Sequence, residues 1–282
     1  MTFRVGVVQC RPRLLHPAAN ARACLELMDR RAADLWVLPE LVTSGYNFRD
    51  RREARRCAEP VAGGSLCGLL RAYAVLRGCA VVAGFPEKAG GRLYNSAALI
   101  TARGVRLYRK THLFGRERRF FSPGDTGFKV WPVQGVPVGV MICFDWFFPE
   151  ACRSLALKGA WLVAHPSNMV LPWGPEAMRL RSLENRVFSA TADRVGVERG
   201  MRFIGRSQIV APDGEILARA GEREVCALVA SVDPSRARDK RLASGNDAWR
   251  DRRPRLYLRA LSRARRPAKP KTSCLQVLPV SR

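Results

Sequence analysis

Three apolar runs in this chain each end in a side chain able to do chemistry, and the three side chains differ. Leu35-Trp-Val-Leu38 runs into Pro39-Glu40, Val105-Arg-Leu-Tyr108 into Arg109-Lys110, and Val138-Gly-Val-Met-Ile142 into Cys143. A carboxylate, an ammonium and a thiol delivered by buried-type strands are the parts of a covalent catalyst: a base, a charge stabiliser and a nucleophile. A thiol with a pKa of about 8.5 is mostly protonated at neutral pH, so Cys143 needs a base or positive surroundings before it attacks carbon. Glu40 is the candidate base. Lys110 and the start of the helix after Cys143 are the candidate positive field. Attack on an electrophilic carbon puts negative charge on the heteroatom bonded to it, where Lys110 and the backbone N–H of Phe144 are the natural stabilisers. One such donor is typically worth about 3 kcal/mol.

Taken singly, each residue has a plainer reading. Cys143 is then a packed core thiol, Glu40 a helix cap and Lys110 a surface charge. Their joint occurrence inside longer motifs favours catalysis. Asp145 and Glu150 read as residues that hold the turn and the helix start, and His112 and His165 as satisfied interior histidines.

The elements that must carry these groups follow from periodicity. Phe3 to Gln9 is a strand candidate, Pro17 to Arg31 spaces Ala, Leu and Met at helical intervals, and Leu35 to Leu38 is a second strand, a β-α-β opening. A helix near Ser65 to Leu76 stops at Gly78, and strands follow at Ala80–Ala83, Ser96–Ile100 and Val105–Tyr108. Gly90-Gly91 and Arg103-Gly104 signal tight turns, so this half includes hairpins. Further strands are predicted at 136–142, 161–164, 188–192, 206–210, 216–219 and 226–232, with helices near 149–158 and 175–186. Mixed sheets with helices on their outer faces suit this α/β order.

These residues resemble the carbon-nitrogen hydrolase, or nitrilase, superfamily, whose members use Glu, Lys and Cys in that chain order. The likeness extends to Glu117-Arg-Arg-Phe-Phe-Ser-Pro-Gly-Asp125, His165-Pro-Ser-Asn168, Glu184-Asn-Arg186, Phe203-Ile-Gly-Arg-Ser-Gln208, Asn246-Asp247 and Asp251-Arg-Arg-Pro254. It is closest to the small archaeal-type nitrilases that act on aliphatic nitriles. The resemblance implies a four-layer αββα sandwich, catalysis by Glu40, Lys110 and Cys143, support from Glu117, no metal or organic cofactor, and at least a homodimer. Amidases and N-carbamoyl hydrolases share the triad and stay open as alternatives. Tyr46, Phe114, Phe144, Trp146, Asn168 and Trp173 are candidate substrate-binding residues, and a partly aromatic lining suits a small neutral nitrile or amide. Each is equally readable as packing.

Composition bounds the rest. The 282 residues suit one α/β catalytic domain, expected over residues 1–258. The net charge of +25 raises the possibility of a nucleic-acid-associated protein on this scaffold. Yet 42 of the 49 cations are arginine, they are dispersed, and no aromatic-basic reading motif accompanies them. The run 49–56 mixes five arginines with Asp50 and Glu53 and reads as a solvated helix face, while 259–282 holds seven cations and no acid and reads as a disordered basic tail. Nine cysteines without a C-x-x-C pair, and only three histidines, disfavour a disulfide framework or a metal site. No apolar stretch reaches the roughly 20 residues that span a bilayer. The early strand leaves no room for a signal peptide, so a cytoplasmic protein is expected.

Overall fold

Short runs rich in valine, leucine and isoleucine bury both faces only as central strands covered on either side, and here they do so in two sheets. The computed structural model describes residues 2–257. Along the chain lie β1 (Phe3–Gln9), α1 (Pro17–Met28), β2 (Leu35–Val37), α2 (Arg51–Cys57), α3 (Ser65–Arg77), β3 (Ala80–Ala89), β4 (Arg92–Thr101) and β5 (Gly104–Arg109). Then come β6 (Val130–Val133), β7 (Val136–Val140), α4 (Pro149–Leu157), β8 (Leu162–Pro166), α5 (Gly174–Asn185) and β9 (Phe188–Ala192). A hairpin, β10 (Val195–Glu198) and β11 (Met201–Ile204), precedes β12 (Gln208–Val210), β13 (Ile216–Arg219) and β14 (Cys226–Val232).

Each sheet has six strands, in the orders β14-β1-β2-β3-β4-β5 and β13-β12-β9-β8-β7-β6. In both, three central strands run parallel and antiparallel strands close the edges. Helices α1 and α3 cover the first sheet. Their buried stripes, Ala21, Cys24, Leu27 and Met28 on α1 and Leu66, Leu70 and Tyr73 on α3, pack on Val8, Trp36, Val81, Ala83 and Ile100. The alternate residues Val5, Val7, Leu35, Val37 and Val82 are equally buried, as strands covered on both faces require. Helices α4 and α5 cover the second sheet, where Leu155 packs on Gly139 and Ser182 hydrogen-bonds Ser189. With β1, β2 and β3 facing β8 and β9, this is the expected αββα sandwich.

Two details differ from the sequence reading. The strand expected from Arg206 begins at Gln208, because Arg206 holds a left-handed φ of 60°. The β10–β11 hairpin and β6 had no clear apolar alternation to announce them. The helix read near 149–158 runs over Pro149–Leu157, and the turn between it and β7 is a 3₁₀ turn over Cys143–Phe147.

Residues through Lys240 form one compact unit; the described residues beyond it belong to a second, which carries the small hairpin β15 (Arg241–Ala243) and β16 (Asn246–Asp247). The basic tail at 259–282 lies outside the described residues. Among the described residues, no helix is long and apolar enough to cross a membrane.

Candidate active site

Glu40 stands three residues beyond β2, where the chain turns sharply: Leu41 adopts a φ of 47°. The turn leans on β3. Leu38 N–H donates to Val82 O at 2.8 Å and Val42 N–H to Gly84 O at 3.0 Å. A Cβ on Gly84 would sit 2.5 Å from Glu40 Cα, so only glycine allows this approach. Lys110 directly follows β5. Its N–H donates to Asn95 O at 2.8 Å, and its carbonyl accepts from Gly124 N–H at 2.9 Å, where again a side chain would collide with the Arg109–Lys110 backbone.

Cys143 arrives from the other sheet, past the end of β7, with a φ of 38°. A left-handed cysteine is strained and persists only when its neighbours over-determine it. Asp145 supplies that constraint. Its fully buried carboxylate accepts from Ile142 N–H (2.9 Å), Tyr108 Oη (2.7 Å), His112 N–H (3.1 Å) and His112 Nδ1 (2.7 Å). His165 completes the turn: Nε2 donates to the Cys143 carbonyl at 3.0 Å, and Nδ1 accepts from Thr191 Oγ1 at 3.1 Å. Burial lowers the His165 pKa to about 4, so the ring is neutral. As the sequence suggested, His165 is a satisfied interior histidine and Asp145 holds the turn; His112 bonds Asp145 but is partly exposed.

The charged side chains meet in a dry cluster. Lys110 Nζ donates to Glu40 Oε1 and to Glu117 Oε1, both at 2.7 Å. Tyr46 Oη also donates to Glu117 Oε1, at 2.6 Å. Asn95 Nδ2 donates to Glu40 Oε1 at 2.6 Å and to Glu117 Oε2 at 3.4 Å. Burial, with Glu117 adding to it against the pull of Lys110, raises the Glu40 pKa to about 7. Burial works against the Lys110 charge, but Glu117 and Glu40 outweigh it and keep the ammonium protonated. Burial and then the charge of Glu40 push the Cys143 thiol well above its usual range, with Lys110 only partly opposing them. This corrects the expectation of a thiolate raised by a helix start and Lys110. One ammonium is shared between two carboxylates, and the helix begins too late to help.

Asn168 is buried, with Nδ2 donating to Glu40 O at 2.8 Å and its backbone N–H directed at the Cys143 sulfur. Phe144 packs on Phe114 with ring centres 5.0 Å apart and stacks on Phe147. Trp146 is buried, whereas Trp173 is 64% exposed at the start of α5. A cleft of about 300 Å³ opens beside the residues that follow Lys110 and Cys143, lined by Thr111, His112, Arg118, Phe121, Phe144 and Phe148. Among the described residues no group of His, Cys, Asp and Glu could hold a metal ion. The sequence reading missed Asn95 and Tyr108. Asn95 had a signal, a polar pair Asn95-Ser96 inside an otherwise apolar strand; Tyr108 had none.

A strained cysteine beside a buried glutamate–lysine cluster, where two sheets of an αββα sandwich meet, defines a hydrolase acting on carbon-nitrogen bonds. The chain belongs to the carbon-nitrogen hydrolase family, whose model matches residues 4–242. It is 47% identical over 260 residues, 91% of this chain and 99% of the relative, to a nitrilase of Pyrococcus abyssi. It is 43% identical over 198 residues, 68% of this chain and 70% of the relative, to an (R)-stereoselective amidase of a Pseudomonas species. Among solved structures it resembles, with a TM-score of 0.75 and 26% identity over 91% of this chain and 96% of that one, a glutamate-to-glutamine mutant of the amidase from Nesterenkonia sp. AN1. That structure carries the acetamide moiety of fluoroacetamide covalently added at its active-site cysteine.

Proposed function

We propose that the protein hydrolyses small aliphatic nitriles to the carboxylic acid and ammonia, with Cys143 as nucleophile, Glu40 as general base and acid, and Lys110 as charge stabiliser. The observation that carries this chemistry is the dry Glu40–Lys110–Glu117 cluster beside a protonated Cys143. A protonated thiol needs a base within reach, and a carboxylate with a pKa of about 7 takes and returns a proton with equal ease at neutral pH. Glu40 takes the thiol proton as sulfur attacks the nitrile carbon. The carbon–nitrogen triple bond becomes a thioimidate, and Glu40 returns the proton to nitrogen. A water activated by Glu40 adds, ammonia leaves, and a second water cleaves the thioester. Lys110 and the Phe144 N–H stabilise the developing negative charge. Glu117, tied to Lys110 and Tyr46, positions the ammonium.

The likeness to the Pyrococcus nitrilase supports the nitrile; the likeness to two amidases supports a second reading, hydrolysis of amides or N-carbamoyl compounds by the same triad. Ammonia release from a panel of aliphatic mono- and dinitriles, matching amides and N-carbamoyl compounds, with wild type beside Cys143→Ala, decides. Nitrile turnover lost in the mutant is expected. Turnover confined to amides or carbamoyl compounds establishes the second reading. Because the base must be unprotonated, kcat/KM rises with pH through about 7.

The family resemblance supports a homodimer, and exposed Leu180 and Leu183 on α5 with Leu157 on α4 offer an apolar face for it. Light scattering on wild type and Leu183→Glu tests this, the dimer weakening in the variant. The free cysteines suit a reducing, cytoplasmic setting.

A further inference from the structure

The two oxygens of Glu40 are not equivalent. Oε1 accepts from Lys110 Nζ at 2.7 Å and from Asn95 Nδ2 at 2.6 Å. Oε2 is buried and has no partner. An oxygen whose lone pairs already face two donors is a poor proton acceptor, whereas a desolvated, unpartnered carboxylate oxygen is a strong one. Only Oε2 is therefore free to exchange a proton with the sulfur or with the leaving nitrogen.

Asn95 is the neutral member of the pair that occupies Oε1. It sits on β4, directly before the strand pairing of Ser96 with Arg109, so its backbone and side chain serve different partners: its carbonyl accepts the Lys110 N–H, and its amide reaches Glu40 and Glu117. The amide has one orientation compatible with its neighbours, since turning it over would set Oδ1 against two carboxylate oxygens. In that orientation Oδ1 is buried without a partner. An unsatisfied buried carbonyl costs stability, so the site tolerates a local defect in order to put an N–H between the two carboxylates.

We propose that Asn95 is a positioning residue that pins Oε1 of Glu40 and thereby assigns every proton transfer in the reaction to Oε2. The inference rests on the reading of Glu40 as the base. The charged and titratable groups around Glu40 are Lys110 at the end of β5, Glu117 on the turn 115–119, Tyr46 in the loop after Glu40, Cys143 beyond β7 and Asp193 beyond β9. Lys110 and Asn95 are the two donors that favour the ionised carboxylate. Removing Asn95 leaves Lys110 alone on Oε1, frees that oxygen to compete for the proton, and makes the carboxylate harder to ionise. Replacing it with Asp adds a third carboxyl to the cluster and acts in the same direction more strongly.

The test follows alkylation of Cys143 by iodoacetamide, read by mass spectrometry as a function of pH, in wild type, Glu40→Gln, Asn95→Ala and Asn95→Asp, with thermal melts alongside. It needs no knowledge of the substrate. In wild type the rate rises as Glu40 ionises, and in Glu40→Gln that rise disappears. In Asn95→Ala the rise moves up by about one pH unit, which slows alkylation about tenfold on the acid side; in Asn95→Asp it moves further. A wild-type profile in both Asn95 variants, with only the melting temperature changed, overturns the proposal and leaves the base assignment standing. A wild-type profile in Glu40→Gln overturns the base assignment and the proposal with it. Should Asn95→Ala fail to fold, the isosteric Asp variant decides.

Discussion

The two halves of the site are held by different physics. Beside the first sheet, Glu40, Lys110, Asn95 and Glu117 from the turn 115–119 hold one another through charge and hydrogen bonds in a volume that excludes water. On the second sheet the thiol is neutral, and what holds it is backbone geometry, a left-handed Cys143 pinned by Asp145 and His165. The charged half is thus vulnerable to loss of any one charge, since those left behind are buried and uncompensated. The thiol half is vulnerable to relaxation, since a strained turn released from its acceptors returns to an ordinary conformation. In the proposed reaction a nucleophile that starts neutral and a base that starts beside a cation need each other, and neither sheet holds both.

The sharpest way to break this contrast is Lys110→Met. It leaves Glu40 and Glu117 facing each other without the ammonium, and a loss of roughly 3 to 5 kcal/mol in denaturant unfolding is expected with activity down by about a thousandfold or more. Asp145→Ala comes next: it strands the donors of Ile142, Tyr108 and His112 and lets Cys143 relax. A destabilisation of about 3 kcal/mol and roughly a hundredfold loss of activity are expected, with Asp145→Asn intermediate because it keeps one acceptor oxygen. A melting temperature and activity unchanged in Asp145→Ala would remove the strain argument for the thiol half.

Gly84→Ala probes the charged half without touching a charge. Its methyl group pushes the backbone of Glu40, with a cost of roughly 1 to 3 kcal/mol and a fall in kcat larger than the rise in KM. The smallest effect concerns His165. Its folded-state pKa, about 4, lies below the ordinary value of 6.5, so its stabilisation is complete above pH 6.5 and is lost as pH falls toward 4. Unfolding measured at pH 7 and pH 5 should therefore show a loss of about 2 kcal/mol from this residue, absent in His165→Gln.

Much of the arrangement is legible in the residues themselves. Runs such as Phe3–Gln9 and Val136–Val140 are too short and too valine-rich for helices, and a strand buried on both faces reads as such from composition alone. Pro17, Pro149 and Pro175 stand in the first turns of α1, α4 and α5, as their missing N–H groups favour. The β10–β11 hairpin was not legible, because Val195-Gly-Val-Glu198 is only four residues long and its burial does not follow its alternation: Val195 and Glu198 are buried while Val197 is exposed. Of the aromatic pocket candidates, Tyr46 donates to Glu117 and Trp173 stands exposed at the head of a helix. Side-chain type cannot separate such cases, since an aromatic ring suits either setting.

Local order along the chain was enough to name a carboxylate, an ammonium and a thiol at strand ends, because burial of a strand and the break that follows it are written in neighbouring residues. That Glu40 and Lys110 come from one sheet and Cys143 from the other, that Asn95 sits between two carboxylates, and that the thiol is protonated depend on contacts between residues up to about a hundred positions apart. Electrostatics in a dry site depends on distances of a few ångströms and on how much water is excluded. Those quantities come into existence only when the two sheets close on each other.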